Sequence, residues 1–180
     1  MRRIGLAAGA LAIFVASNAA AEWKLNRSQD PFDDDQIVEA SMAVDGLEIR
    51  VQCKGVGRKQ TFRAYFLTEQ VLNADPYAYG NNWAANSALG PQITAKLRFD
   101  SAKATNIEFF AEDDWKGFWT GEKYAARIVR SFIRASKLAL MTYGADGDNR
   151  VFQLDLPTET QAVRDVMATC GQEIEGKDWL

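Results

Sequence analysis

The sequence predicts a mainly β protein of the α+β class, with antiparallel strands and two helices in its C-terminal half. Several segments alternate apolar and polar residues and are separated by short turn sequences, which is typical of antiparallel strands. Two later segments instead repeat apolar residues at helical spacing. An antiparallel β-sandwich or a partly open barrel, with two amphipathic helices of which one is tethered by a disulfide, accounts for both patterns.

The first 21 residues have the three parts of a secretory signal peptide. The chain begins with the basic sequence MRR, continues through an apolar run from Ile4 to Ala16, and reaches small residues before Ala21. The apolar run is shorter than the roughly 20 residues that a membrane-spanning helix needs. We therefore expect cleavage after Ala21, no stable membrane insertion, and a single periplasmic or secreted domain formed by residues 22–180.

Between six and eight segments have the alternation of a strand with one buried face. The clearest is Leu47–Lys54 (LEIRVQCK), in which every second residue from the first onward is apolar. Asp45-Gly46 is a hairpin turn that joins it to 37–44, a segment that also fits a helix but that the turn favours as a strand. The other predicted strands are 22–27, 60–67, 93–100, 104–112, 138–144 and 150–156.

Two segments have apolar residues at every third or fourth position and predict amphipathic helices. The first is 121–137, which follows a predicted turn at 113–119, and Thr120 is placed to cap it. The second lies between Pro157 and Gly171 and opens with a capping-box sequence.

The chain contains two cysteines and no histidine. Two cysteines in an exported protein favour a disulfide, here between Cys53 in a strand and Cys170 in the last helix. The lack of histidine removes the commonest general base and the commonest zinc ligand, and oxidised cysteines remove thiolate chemistry. The net charge of −3 gives no electrostatic support for binding nucleic acid. We therefore predict no cofactor, no metal site and no nucleic-acid partner.

Residues 68–92 interrupt the strand pattern with a long inserted loop that is rich in proline, glycine, asparagine and aromatic residues. In one interpretation the rings and amides bind a sugar or a polar peptide. In the other, the rings fold back and cover an exposed edge of the sheet. The candidate binding residues are Tyr77, Tyr79, Asn81, Asn82 and Trp83.

Four basic residues at spacings of three, four and three predict a basic ridge on the first helix: Arg127, Arg130, Arg134 and Lys137. One interpretation is an anion-binding ridge for phosphate, lipid head groups or an acidic partner. The alternative is a solvated helix face whose charge is balanced by nearby acidic residues.

The order of several motifs resembles the VasI/TagO family of exported accessory proteins that are associated with type VI secretion. An early tryptophan strand is followed by an aspartate pair, a strand ending in cysteine, a strand ending in RFD, an amphipathic helix, a strand pair and a helix ending in the second cysteine. The residues concerned are Trp23, Asp33-Asp34, Leu47–Cys53, Arg98-Phe99-Asp100 and Cys170. The resemblance implies a periplasmic, disulfide-bonded and non-enzymatic accessory role.

Two classes of function follow from these features. The first is an exported, non-enzymatic protein that binds an envelope protein or the cell-wall glycan. The second is a glycan hydrolase, which needs only two carboxylates and no histidine. Its candidates are Asp113 and Asp114 or Asp75, although adjacent residues on a strand point to opposite faces and make a poor catalytic pair.

Overall fold

The computed structural model describes residues 21–55, 57–72 and 92–177 of the 180-residue chain. It contains nine strands and two α-helices within these ranges. The strands are β1 (Lys24–Gln29), β2 (Gln36–Val44), β3 (Leu47–Lys54), β4 (Thr61–Thr68), β5 (Gln92–Phe99), β6 (Thr105–Ala111), β7 (Gly117–Gly121), β8 (Lys137–Tyr143) and β9 (Asn149–Asp155). The helices are α1 (Glu122–Arg134) and α2 (Gln161–Thr169).

All nine strands belong to one antiparallel sheet in the order β1-β2-β3-β4-β7-β6-β5-β8-β9. The sheet is open, with β1 and β9 as its edges. The predicted fold class is therefore confirmed: an antiparallel β protein with two helices late in the chain. Strand β3 has the predicted bounds, and Asp45-Gly46 forms the predicted hairpin between β2 and β3.

The sheet consists of two parts that meet at a short junction between β7 and β6. Only two residue pairs, Phe110–Trp119 and Ala111–Phe118, connect these strands, whereas β3 and β4 pair over eight positions. On the face that packs against the helices, the ring centroid of Phe109 on β6 lies 4.9 Å from that of Phe118 on β7 and 5.6 Å from that of Phe66 on β4. These aromatic contacts bridge the two parts where few main-chain hydrogen bonds do.

The prediction of a turn over residues 113–119 is wrong for its last three residues, which belong to strand β7. Its five residues carry Phe118 on one face and Trp119 on the other, and glycine stands at both ends. The alternation of apolar and polar residues that marks the other strands is therefore missing. Thr120 lies in β7 and does not cap α1, whose N-terminus has no side-chain cap.

The first helix ends at Arg134, three residues before the predicted end at Lys137. Asp100 accounts for this difference, because its carboxylate accepts hydrogen bonds from the backbone N–H groups of Ser136 at 3.0 Å and Lys137 at 2.9 Å. Lys137 then begins β8. The Ser136 hydroxyl donates to the same carboxylate at 2.8 Å, and this bond, together with the two backbone bonds, holds the pKa of Asp100 below its ordinary value.

The second helix also begins later than the capping-box sequence predicted, since Thr160 is the N-cap residue and makes no side-chain cap bond. Its end agrees with the prediction. Gly171 has a φ of +63°, and the N–H of Gln172 bonds to the Met167 carbonyl at 2.9 Å, which together form a Schellman-type C-terminus.

Helices α1 and α2 cover one face of the sheet, which we call the inner face. Phe132 of α1 is fully buried and contacts three rings on that face, Trp23 at 5.8 Å, Phe99 at 5.7 Å and Phe66 at 6.1 Å. Helix α2 packs against β2 and β3 through side chains that are fully buried. They are Val163, Val166 and Met167.

The predicted disulfide is confirmed. Cys53 at the end of β3 is bonded to Cys170 directly after α2, with Cα atoms 5.6 Å apart and a separation of 117 positions in the sequence. The bond therefore tethers the last helix to the sheet. Residues 1–20, which hold almost all of the predicted signal peptide, lie outside the described residues. Neither helix of the described ranges has the length and apolar character that a membrane crossing requires.

We expect Cys170→Ser to lower the free energy of unfolding by about 4–5 kcal/mol, because the bond closes a long loop in the unfolded chain. Cys170 is the better site for substitution, since Cys53 is only 1% exposed and a hydroxyl there would be buried. The measurement is urea unfolding of residues 22–180 with and without a reductant. Reduced wild-type protein should match the variant, and an unfolding midpoint that reduction leaves unchanged would contradict the tether.

Candidate functional site

Two of the predicted site elements cannot be placed. The loop residues Tyr77, Tyr79, Asn81, Asn82 and Trp83, and the candidate acid Asp75, all lie outside the described residues. The stems of the loop are described: Leu72 is buried and its N–H bonds to the Trp115 carbonyl at 2.7 Å, while Gln92 opens β5 opposite Phe110.

Three of the four basic residues of the predicted ridge lie on α1, whereas Lys137 lies in β8. Along α1, Arg127 is one turn from Arg130 and two turns from Arg134. Arg130 and Arg134 both donate to backbone carbonyls of the segment that follows α2. The structure thus places two of the three guanidinium groups of the predicted ridge against the chain's own C-terminal segment.

The predicted acid pair Asp113 and Asp114 lies in the tight turn before β7. Both residues are exposed, and Asp114 Oδ1 accepts a hydrogen bond from the Lys116 N–H at 2.9 Å. Asp114 therefore shapes the turn. The half-buried acid at this position is their neighbour Glu112, which the sequence did not single out.

The face of the sheet that points away from both helices, the outer face, carries a group of half-buried polar and aromatic side chains at its centre. These residues alternate with the core residues along their strands, so they point opposite to the core. We call them the outer-face cluster: Glu39, Glu48, Arg50, Gln52, Arg63, Tyr65, Phe110, Glu112 and Trp119.

The polar half of the outer-face cluster is held by hydrogen bonds within β3 and between β3 and its neighbours β2 and β4. Arg50 binds Glu48 through two bonds of 2.7 and 3.0 Å and lies 4.0 Å from Glu39. Its bond to Glu48 raises the pKa of Arg50. Gln52 donates to Glu39 at 3.0 Å and accepts from the Tyr65 hydroxyl at 3.4 Å. These bonds fix the side chains in one arrangement on a rigid sheet.

The aromatic half of the outer-face cluster crosses the β7–β6 junction. Tyr65, Trp119 and Phe110 are directly opposed on three neighbouring strands. Their ring centroids lie 6.4 and 4.8 Å apart, and the guanidinium carbon of Arg63 stands 4.1 Å above the Trp119 ring. This is a cation–π contact that covers one face of the indole.

Glu112 gives the cluster a titratable group with altered proton affinity. Burial raises the pKa of Glu112 above its ordinary value of 4.5, and the charges of Asp113 and Asp114 raise it further, while Arg63 and Arg50 oppose the change. The side chain of Glu112 lies close to β7. A Cβ atom added to Gly117 would stand 3.3 Å from the Cγ atom of Glu112.

A cavity of about 540 Å³ borders the polar side of the cluster at Ser41 and Glu48, between β2, β3 and the residues before β1. Its volume lies within the range of small-molecule sites, roughly 300–1,000 Å³. Within residues 21–55, 57–72 and 92–177, no group of three or more acidic or cysteine side chains is arranged to hold a metal ion.

The sequence could have indicated these residues only in part. Outward positions of β3 and β4 were predicted as polar, but their neighbours across the sheet depend on the strand order and on register. The missed strand β7 supplies Trp119, the residue that connects the aromatic side chains. An arginine and a tyrosine on the outward face of β4, two positions apart, were the available signal.

Comparisons with models of known protein families, with curated protein sequences and with solved structures find no match. The resemblance to the VasI/TagO family therefore stays a prediction.

We expect Glu112→Gln to stabilise the protein at pH 7 by less than about 1 kcal/mol, because solvent screens a half-buried group. Folding raises the pKa of Glu112, so the folded state binds this proton more tightly and the ionised carboxylate opposes folding. The gain should shrink as the pH falls through the folded-state pKa and vanish below the ordinary value of 4.5.

The measurement is the thermal unfolding midpoint of Glu112→Gln from pH 3.5 to 7.5. Glu108→Gln, which removes an exposed carboxylate at an outward position of the preceding strand β6, is the matched control. Destabilisation by Glu112→Gln at pH 7 would show that Arg50 and Arg63 outweigh burial.

Proposed function

We propose that this chain is an exported, non-enzymatic binding protein of the cell envelope and that it contacts a protein partner through the outer-face cluster. The observation that carries the proposal is the combination of three rings and two arginines, held by hydrogen bonds on a surface that neither helix covers. Aromatic residues and arginine are the side chains that dominate binding energy at protein interfaces.

The arrangement of the cluster favours a protein over a glycan as its partner. A sugar stacks on an open aromatic face, but Arg63 already occupies one face of Trp119 and the neighbouring rings flank it. Fixed carboxylates and guanidinium groups beside the rings suit the polar groups of a protein surface. Cell-wall glycan remains the alternative partner.

The location rests on separate grounds. A disulfide is compatible with an exported protein, because such bonds persist in oxidising compartments. The signal-peptide pattern of residues 1–21 supports a periplasmic or secreted location. The resemblance to the VasI/TagO family supports association with a type VI secretion-like system.

Glu112 supports a second candidate function, a carboxylate-based glycan hydrolase. A carboxyl group with a raised pKa is suited to act as a general acid, and Glu48 or Glu39 would be its partner on the same face. Both of these glutamates already contact Arg50, which favours a structural role for them.

We expect the double variant Arg63→Ser/Tyr65→Ser to bind its envelope partner at least tenfold more weakly, because it removes two central contacts of the cluster. A tenfold loss of affinity corresponds to about 1.4 kcal/mol of binding free energy. The measurement is affinity capture from cell envelopes with residues 22–180, followed by titration of the partner so identified. Arg98→Ser/Tyr143→Ser is the matched control, since both residues point outward on other strands and are exposed. Thermal unfolding confirms that both variants are folded.

Three results would separate the alternatives. A partner retained by the cluster variant but lost by a Tyr77/Tyr79/Trp83 triple-alanine variant would assign the interface to the inserted loop. Capture of glycan without protein would favour cell-wall binding. Equal loss of partner binding in the cluster variant and in its matched control would contradict the proposed interface on the outer face.

The hydrolase hypothesis predicts that purified protein releases soluble fragments from isolated cell wall and that Glu112→Gln abolishes the release. The binding hypothesis predicts no release by either protein at high concentration. Release that depends on Glu112 would replace the proposed function, and release that persists in the variant would indicate a contaminant.

A further inference from the structure

The segment after α2 crosses the surface of α1 and is held there by two arginines. Arg130 donates from Nε to the Glu173 carbonyl at 2.8 Å and from an Nη to the Lys177 carbonyl at 3.2 Å. Arg134 donates to the carbonyls of Gly176 at 3.2 Å and Ile174 at 3.3 Å. The segment 172–177 is thus bound mainly through its main chain.

Two side-chain features complete the contact. Ile174 is half-buried and packs against the hydrophobic core, while the Glu175 carboxylate lies 3.6 Å from Arg134 and is 96% exposed. Gly176 has a φ of +143°, and a Cβ there would stand 3.1 Å from the guanidinium carbon of Arg130. The surface therefore accepts an apolar residue, then an acidic residue, then glycine.

The charges of α1 explain why the segment binds there. Arg130 and Arg134 are one helical turn apart, so two like charges face each other on one helix. Carbonyl oxygens and one carboxylate from the C-terminal segment are oriented towards them and offset the repulsion. Exposed contacts of this kind open more easily than the buried core.

We propose that Arg130, Arg134 and the apolar surface against which Ile174 packs form a peptide-binding site, which the chain's own C-terminal segment occupies. Its ligand is a short segment of a partner protein with the same order of side chains, apolar, acidic, glycine, and with the bend that residues 174–176 have here. A partner can bind only when residues 172–177 leave the site, so it must compete with the attached segment for the same contacts. This site lies on α1, apart from the outer-face cluster, and its existence does not depend on whether the cluster binds a partner.

The proposal is tested with a fluorescein-labelled peptide of residues 172–177, QEIEGK, and the full chain 22–180. A short tether keeps the attached segment at an effective concentration on the order of millimolar. Wild-type protein should therefore bind the peptide weakly. Ile174→Asp removes the apolar anchor and should bind it at least tenfold more tightly in fluorescence anisotropy, with the scrambled peptide KEGQIE as control.

Two further variants make the result specific. Adding Arg130→Gln/Arg134→Gln to Ile174→Asp should abolish the gain, because the guanidinium groups that donate to the peptide's carbonyls are lost. Gly176→Val leaves Ile174 intact but clashes with Arg130, and it should also raise peptide binding even if Ile174→Asp does not fold.

The proposal is overturned if neither opened variant prefers QEIEGK to the scrambled peptide, or if the preference survives without the two arginines. Sedimentation with phosphatidylglycerol vesicles is the third arm. Arginine-dependent binding of vesicles without binding of the peptide would assign the opened surface to a membrane and would likewise overturn the peptide site.

Discussion

The short pairing of β7 with β6 is the constraint on which the rest of the structure depends. Two residue pairs join the part of the sheet that contains β1–β4 and β7 to the part that contains β5, β6, β8 and β9, so main-chain hydrogen bonds alone bind these parts weakly. Aromatic rings strengthen the junction on both faces. Phe66, Phe109 and Phe118 pack on the inner face, and Trp119 packs against Phe110 on the outer face. The outer-face cluster is thus both the proposed interface and part of what holds the sheet together. This is why its test needs a folded-state control.

Much of the fold could be predicted because its strands follow a simple rule. In β3 every inward residue is buried and every outward residue is half-buried, and the sequence has the same alternation. The disulfide followed from the same alternation, since it places Cys53 on the inner face. Strand β7 could not be predicted in this way, because both of its faces carry aromatic residues. The end of α1 could not be predicted either, because it depends on Asp100, a residue distant in sequence.

Less of the candidate site could be predicted, and the reason is again physical. Arg63 and Tyr65 appear in the sequence as ordinary outward residues of one strand. They become part of a site only when β7 pairs with β4 and places Trp119 beside them. The basic residues of α1 were recognised by their spacing, but spacing does not reveal which groups neutralise them. Arg130 and Arg134 donate to backbone carbonyls of 173–177, and a hydrogen bond to a main-chain atom does not depend on the type of side chain at that position.

The position of the disulfide along the chain has a consequence for biosynthesis. Cys53 lies in the third strand, whereas Cys170 follows the last helix. A chain that emerges from its N-terminus onward offers Cys53 no intramolecular partner until every strand of the sheet has emerged. Formation of the bond therefore requires that every described strand has been synthesised, and a chain that ends before Cys170 keeps a single thiol. In an oxidising compartment that thiol is available for mixed disulfides, so the bond distinguishes finished molecules from fragments.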